Sequence, residues 1–342
     1  MKWLGSTLIL SLTLVGCGSS NKSNNSNETI PPTTPVVATP PEVHSIQPAD
    51  VAAYVENYKL QRNQLSLQLE GVETDFSFVD MAMEEKLVIT KLEQGLLLIG
   101  FDFDKEEALP NLTLFQSNAV EINTILEQPD AVLQGTNIAL SESDDNMIYQ
   151  GQLVSTDSQQ NINVRLVVNE SLLTGGASTI RVADEQAFIT GTLGTEFYLQ
   201  LSELIAQNPS VNTLVLENIQ GSINDAINMH SGRLVRNAKL STLMPANGEA
   251  HSGGVDLFAA GYKRLYQAGG KLGVHSWCCV DGKHAGELSK DHEAHGAQLT
   301  YVREMLGVEL GPEFYFFTLE AAPFDGIHLM TQAEIDKYLA KD

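Results

Sequence analysis

The feature that most constrains this chain is a change of rhythm near residue 173. Before it, apolar residues alternate or run in short β-branched stretches. "QLSLQLEG", "EKLVIT", "GLLLIGFDF", "NMIYQGQLVS" and "NINVRLVV" read as strands, and "SESDDN" and "TDSQQN" as turns between them. After it, strand patterns such as "AFITGTL" and "NTLVLEN" alternate with helical ones such as "TEFYLQLSELIAQNP". Residues 49–172 are therefore expected to form a mostly-β accessory domain, a small sandwich or barrel preceded by a helix near 48–67. Residues 173–342 are expected to form an α/β domain, because alternating strands and helices build parallel or mixed sheets.

The N-terminus has a different grammar. Lys2 precedes the short apolar run "WLGSTLILSLTLVG", which is too short for a comfortable membrane span. It ends in Leu14-Val15-Gly16-Cys17, which resembles the bacterial lipobox. The resemblance implies a signal peptide over 1–16, a lipid on Cys17 and no spanning helix, with Gly18 pointing to the outer membrane, facing the periplasm. Residues 17–48 are rich in Ser, Asn, Thr and Pro and bury too little apolar surface to fold, so they read as a tether. The chain has 20 basic and 43 acidic residues, a net charge of −23 concentrated before residue 230. Such a chain repels phosphate backbones, which excludes nucleic acid as a partner. With Cys17 consumed by lipid, only the adjacent pair Cys278 and Cys279 remains. Vicinal cysteines close a strained ring, so no disulfide framework is indicated.

Within the α/β half, several helix starts are marked. Ser222 with Asp225 and Thr331 with Glu334 both have capping-box spacing. "SGGVDLFAAGYKRL" and "GELSKDHEAHGAQLTYVREML" read as helices, and "KLGVHSW" as a strand carrying His275. Ser252, in "GEAHSGGVDLFAAG", has two readings: a helix N-cap, or a hydroxyl aimed into a site by a tight glycine turn. A helix start after a buried strand offers free N–H groups, and a histidine at the next strand end supplies a base.

These motifs resemble the Clp-protease proteolytic subunit and its ClpP/crotonase-fold relatives, including a periplasmic branch. Ser252 with Ala260-Gly261 in register matches the serine motif, "VLENIQGS" the oxyanion turn, and His275 the basic histidine. The resemblance covers about residues 175–342. It implies a spiral of β-β-α units and a serine peptidase acting through an acyl-enzyme. Ser252, His275 and Asp325 would be catalytic, with Gly221 and Gly253 at the oxyanion. It implies no metal or cofactor, a peptide or protein substrate, and a homo-oligomer. The chain departs from the pattern at Gln220, at His251 and around Asp325, where His328 competes for the acid's place. An inactive scaffold or binding protein on the same fold is the alternative, and acyl-thioester chemistry of crotonase type a third reading. A metal site among His275, Cys278, Cys279, His284, His292 and His295, and a serine–lysine pair using Lys283 or Lys290, are also compatible with the residues.

Overall fold

The computed structural model describes residues 41–340 apart from 83, 104, 106, 156 and 159. The expected signal peptide, Cys17 and the tether as far as residue 40 lie outside the described residues.

Helix α1 (Val51–Arg62) leads into the β half and buries Val51, Val55 and Tyr58, one stripe at i, i+4 and i+7. Lys59 and Arg62 sit in its last turn, where positive charge suits the helix dipole. Nine strands follow: β1 (Ser66–Leu69), β2 (Val72–Glu73), β3 (Phe76–Ala82), β4 (Leu87–Leu92), β5 (Gly95–Asp102), β6 (Glu107–Gln116), β7 (Ala131–Ser143), β8 (Asn146–Ser155) and β9 (Asn161–Val168). Helix α2 (Ile122–Glu127) interrupts them between β6 and β7, and α3 (Glu170–Thr174) follows β9. They form one sheet in the order β2-β1-β9-β8-β7-β6-β5-β4-β3, antiparallel at every pairing. The β7–β8 hairpin closes through Asp144 and Asp145, both at positive φ (50° and 63°), with Ser143 opposite Asn146. That is the two-residue turn whose twist matches paired strands.

The sheet curls over its own apolar face. Leu67, Leu97, Leu112, Leu133, Leu153 and Leu166, from six different strands, share one buried cluster. The Tyr149 hydroxyl of β8 donates to the Gly100 carbonyl of β5 at 3.0 Å. Those strands are three steps apart, about 14 Å on a flat sheet at ~4.8 Å per step, so only curvature lets one side chain bridge them. A single curled sheet thus replaces the expected sandwich or closed barrel; the edges β2 and β3 do not pair with each other.

The second sheet begins with the hairpin β10 (Thr179–Ala183) and β11 (Gln186–Leu193). Helix α4 (Thr195–Gln207) carries the chain to β12 (Thr213–Ser222), which lies parallel to β11. Strand β12 then forks. Its residues 213–215 pair with β13 (Ser241–Met244), and Asn218 and Ile219 pair with β14 (Glu249–His251). β13 continues parallel to β15 (Arg264–Tyr266), and β14 parallel to β16 (Lys271–Val274). Helices α5 (Asp225–Asn237) and α6 (Gly253–Ala259) connect these pairs; α7 (Gly296–Leu306) and α8 (Leu310–Ala321) lead to the edge strand β17 (His328–Leu329) and α9 (Gln332–Tyr338). Two short strands and a helix repeat, and the strands of each pair diverge into two layers. The expected β-β-α spiral is what the pairing describes.

Several local expectations shift. Asn224, not Ser222, caps α5, accepting from the Ile227 amide, while the Ser222 hydroxyl accepts from the Asn224 amide. The long helix expected over 286–306 is α7 preceded by two 3-10 turns, Ala285–Glu287 and Glu293–His295. There His284 and His292 side chains accept backbone amides and compete with helix. Helix α6 is only seven residues, because β15 must start at Arg264 to pair with β13. The Thr331–Glu334 capping box is present in both halves. The sulfurs of Cys278 and Cys279 face each other.

Candidate functional site

Three strand ends and two helix starts meet at one point. Ser252 stands between β14 and α6 with φ 49° and ψ −123°. Positive φ is rare for a residue with a Cβ and costs about 1–3 kcal/mol. Its amide donates to the Gly273 carbonyl of β16 at 2.8 Å, which pins the turn. Its hydroxyl makes no capping hydrogen bond, so the plain N-cap reading fails. The two glycines that follow are required by packing. A Cβ on Gly253 would collide with Ser222, and one on Gly254 would sit 2.8 Å from Ile219 Cγ2. Gly221, at φ +144°, lies against Ser252: a Cβ there would be 3.4 Å from the Ser252 Cβ. The Gly253 and Gly254 amides, at the first two positions of α6, donate to no acceptor among the described residues, as helix starts leave them free to do.

A cavity of ≈ 40 Å³ opens beside this turn, with Asp225, Ser252, Asp256 and His275 at its polar side and Trp277 and Tyr315 in its wall. At roughly 10–15 Å³ of such volume per water, it has room for about three waters. Asp225 begins α5 and Asp256 lies in the first turn of α6. Both carboxyls reach the cavity while protein surrounds them. Burial pushes Asp256 up to about 7, with the charge of Asp225 adding to the rise. Burial also raises Asp225, opposed by a hydrogen bond from the Ser222 hydroxyl and by the charge of His275. Two close carboxyls in a poorly solvated place resist double ionisation, the usual arrangement for a proton donor beside a proton acceptor.

His275 follows β16 directly. Its Nδ1 donates to the Ser276 carbonyl at 2.8 Å, so its Nε2 holds the lone pair when the ring is neutral. Behind the wall, Trp277 Nε1 donates to the Tyr315 hydroxyl at 2.8 Å. Tyr315 in turn meets His295 Nδ1 at 2.8 Å, and His295 Nε2 donates to the Ser289 carbonyl at 3.1 Å. This chain fixes both wall rings.

The structure thus brings Ser252, His275, Gly221 and Gly253 to one place, but not Asp325. Asp325 is exposed in the loop before β17, and His275 Nδ1, the atom a third triad member would hold, is given to a backbone carbonyl. No hydrogen bond joins Ser252 to His275 among the described residues. His328 does not replace Asp325, because its Nε2 lies 3.0 Å from Glu334. Lys290 pairs with Glu320 at 2.8 Å, away from the serine. Among the described residues no three His, Cys, Asp or Glu side chains are grouped to hold a metal ion. The sequence reading missed the carboxyl pair. Asp225 was read as a capping partner, and Asp256 was passed over. Its signal was a lone carboxylate in the otherwise apolar stretch "GGVDLFAAG".

No family model matches the chain, and no curated protein matches it. Solved structures do. Among them are an enoyl-CoA hydratase from Bacillus anthracis (12% identity, 48% of this chain and 68% of that one, TM-score 0.32) and one from Geobacillus kaustophilus (9%, 60% and 69%, TM-score 0.31). A membrane-bound stomatin-specific protease is another (16%, 45% and 75%, TM-score 0.34).

These findings correct several expectations. The resemblance to the Clp-protease subunit is not retained; several of the similar solved structures are named as enoyl-CoA hydratases. The Ser252–His275–Asp325 serine-hydrolase triad and peptide-bond hydrolysis are withdrawn: Asp325 is exposed, and His275 Nδ1 is given to the Ser276 carbonyl. The lipid-anchored periplasmic placement is not retained: it rested on Cys17, which lies outside the described residues. Among the described residues no helix is long and apolar enough to cross a membrane.

Proposed function

We propose that this cavity moves protons on a short acyl group, in the manner of a hydratase or isomerase. The observation that supports it is the pair of enclosed carboxyls, Asp225 and Asp256, facing one small cavity beside a helix start with free amides. A group held near 7 is half protonated at neutral pH and serves equally as donor or acceptor.

On this reading the substrate's carbonyl oxygen lies toward the Gly253 amide, with Gly221 beside it. Charge develops on that oxygen during the reaction and is stabilised by N–H groups fixed before the substrate arrives. Asp225, held by the Ser222 hydroxyl and facing His275, takes a proton from water. The hydroxide so formed bonds to the β-carbon of an α,β-unsaturated acyl group, and the carbon–carbon π electrons pass to the carbonyl oxygen. Asp256 then gives its proton to the α-carbon as the carbonyl re-forms. Returning the proton from Asp225 to Asp256 restores the pair. Ser252 orients the water through its hydroxyl. Trp277 and Tyr315 close the cavity and limit the acyl group to a few carbons.

The test is hydration of a short enoyl thioester, followed by loss of its ultraviolet absorbance. Asp225→Asn and Asp256→Asn are each expected to lower kcat by about 10²–10⁴-fold, the usual worth of positioned acid–base groups. Full activity in both variants, with Ser252→Ala inactive, contradicts the proposal.

A further inference from the structure

The curled nine-stranded sheet holds a second cavity unrelated to the first. It measures ≈ 400 Å³ and is lined by Leu69, Leu92, Leu114, Glu93, Asn118 and Asp130, with further uncharged polar residues. Leu69 ends β1 and Leu92 ends β4, six ladder steps apart in the sheet. On a flat sheet that is about 29 Å at ~4.8 Å per step. The curl brings the two strand ends to one small opening, so the cavity is the mouth of the half-barrel. Leu92 and Leu114 are 5% and 2% exposed, so its floor is the apolar core itself. The volume falls in the range of small-molecule sites, about 300–1,000 Å³, which favour such mouths.

The rim decides the kind of occupant. Glu93 and Asp130 stand exposed at the opening with no ion pair among the described residues, and no Lys or Arg is among the residues that line the cavity. Lys91, next to Leu92, turns its ammonium toward the Ala119 and Val120 carbonyls at 3.4 Å. The remaining rim groups are neutral amides and hydroxyls. The whole chain carries −23, so anions are repelled at long range as well as at the rim. We propose that this mouth binds small molecules with an aliphatic body and a cationic head, the body against the leucines and the head between Glu93 and Asp130. The proposal does not depend on the chemistry assigned to the first cavity.

The test uses the full chain, titrated with octylammonium and, separately, octanoate, and read by backbone amide NMR shifts. The expected result is saturable one-site binding of octylammonium, with shifts centred on residues 92–95 and 114–118. Octanoate should bind at least tenfold more weakly. The exposed rim variant Glu93→Gln/Asp130→Asn should weaken octylammonium at least tenfold. Glu142→Gln, at the far end of β7, should leave it unchanged and so exclude general attraction to an acidic protein. Equal binding of octanoate, unchanged affinity in the rim variant, shifts mapped elsewhere, or no saturation would each overturn the proposal.

Discussion

Replacing Asp256 with Asn should make the protein more stable at neutral and alkaline pH. Burial and the neighbouring Asp225 push the Asp256 carboxyl from an ordinary 3.8 up to about 7. The folded state therefore holds a proton that the unfolded state has lost between those two values. Stability from this group is fully present below pH 3.8 and is lost as pH rises through 7. Some three pH units at 1.36 kcal/mol each give about 4 kcal/mol, an upper figure because the carboxyl reaches a water-sized cavity. Asn is close in size and carries no charge, so it escapes this penalty. Urea denaturation of wild type and Asp256→Asn at pH 5 and pH 8 measures the difference. Only the two units between pH 5 and pH 7 fall inside that window, so the variant should gain up to about 2.6 kcal/mol on wild type between the two pH values, with unchanged m-values showing that both unfold alike. Parallel pH dependence in the two proteins would refute the assignment of a raised Asp256.

Three further outcomes follow from particular residues. Ser252→Gly should stabilise the fold by about 1–3 kcal/mol in thermal or urea unfolding, because glycine accepts φ 49° without strain, though it removes the hydroxyl from the cavity. Tyr149→Phe should cost about 0.5–1.5 kcal/mol by removing the hydrogen bond to the Gly100 carbonyl across the curl. Gly253→Ala should reduce turnover of any substrate whose carbonyl meets α6, because its Cβ meets Ser222 and forces the amide aside; circular dichroism should show the fold retained while kcat falls.

Local chemistry was readable in the sequence where a few neighbouring residues decide the structure. The Thr331–Glu334 capping box, helix α4 ending at Asn208 before Pro209, and the turn at Asp144–Asp145 all belong to this kind. The Ser252 turn was legible because Gly253 and Gly254 follow it, and the β-β-α rhythm because strands and helices alternate. What was not legible depends on distant contacts. Asp225 and Asp256 meet only because α5 and α6 start at adjacent ends of a forked strand system. Asp325 looked suitable by its distance from His275 along the chain, but the loop before β17 turns it to solvent. The place of β1 in the first sheet depends on pairing with β9, nearly one hundred residues away, and the curl shows only in contacts such as that of Tyr149 with Gly100. Helix α8 was missed because "GPEFYFFTLE" is apolar on most of its surface and lacks the one-sided pattern of an exposed helix.

The most direct test of the central claim follows exchange at carbon rather than net turnover. A short acyl thioester is incubated with the protein in deuterium oxide, and loss of the α-proton signal is followed by NMR. The account predicts catalysed exchange that falls at least a hundredfold in Asp256→Asn and survives in Asp325→Asn. Exchange no faster than in buffer alone, with folded protein and bound thioester, would contradict it.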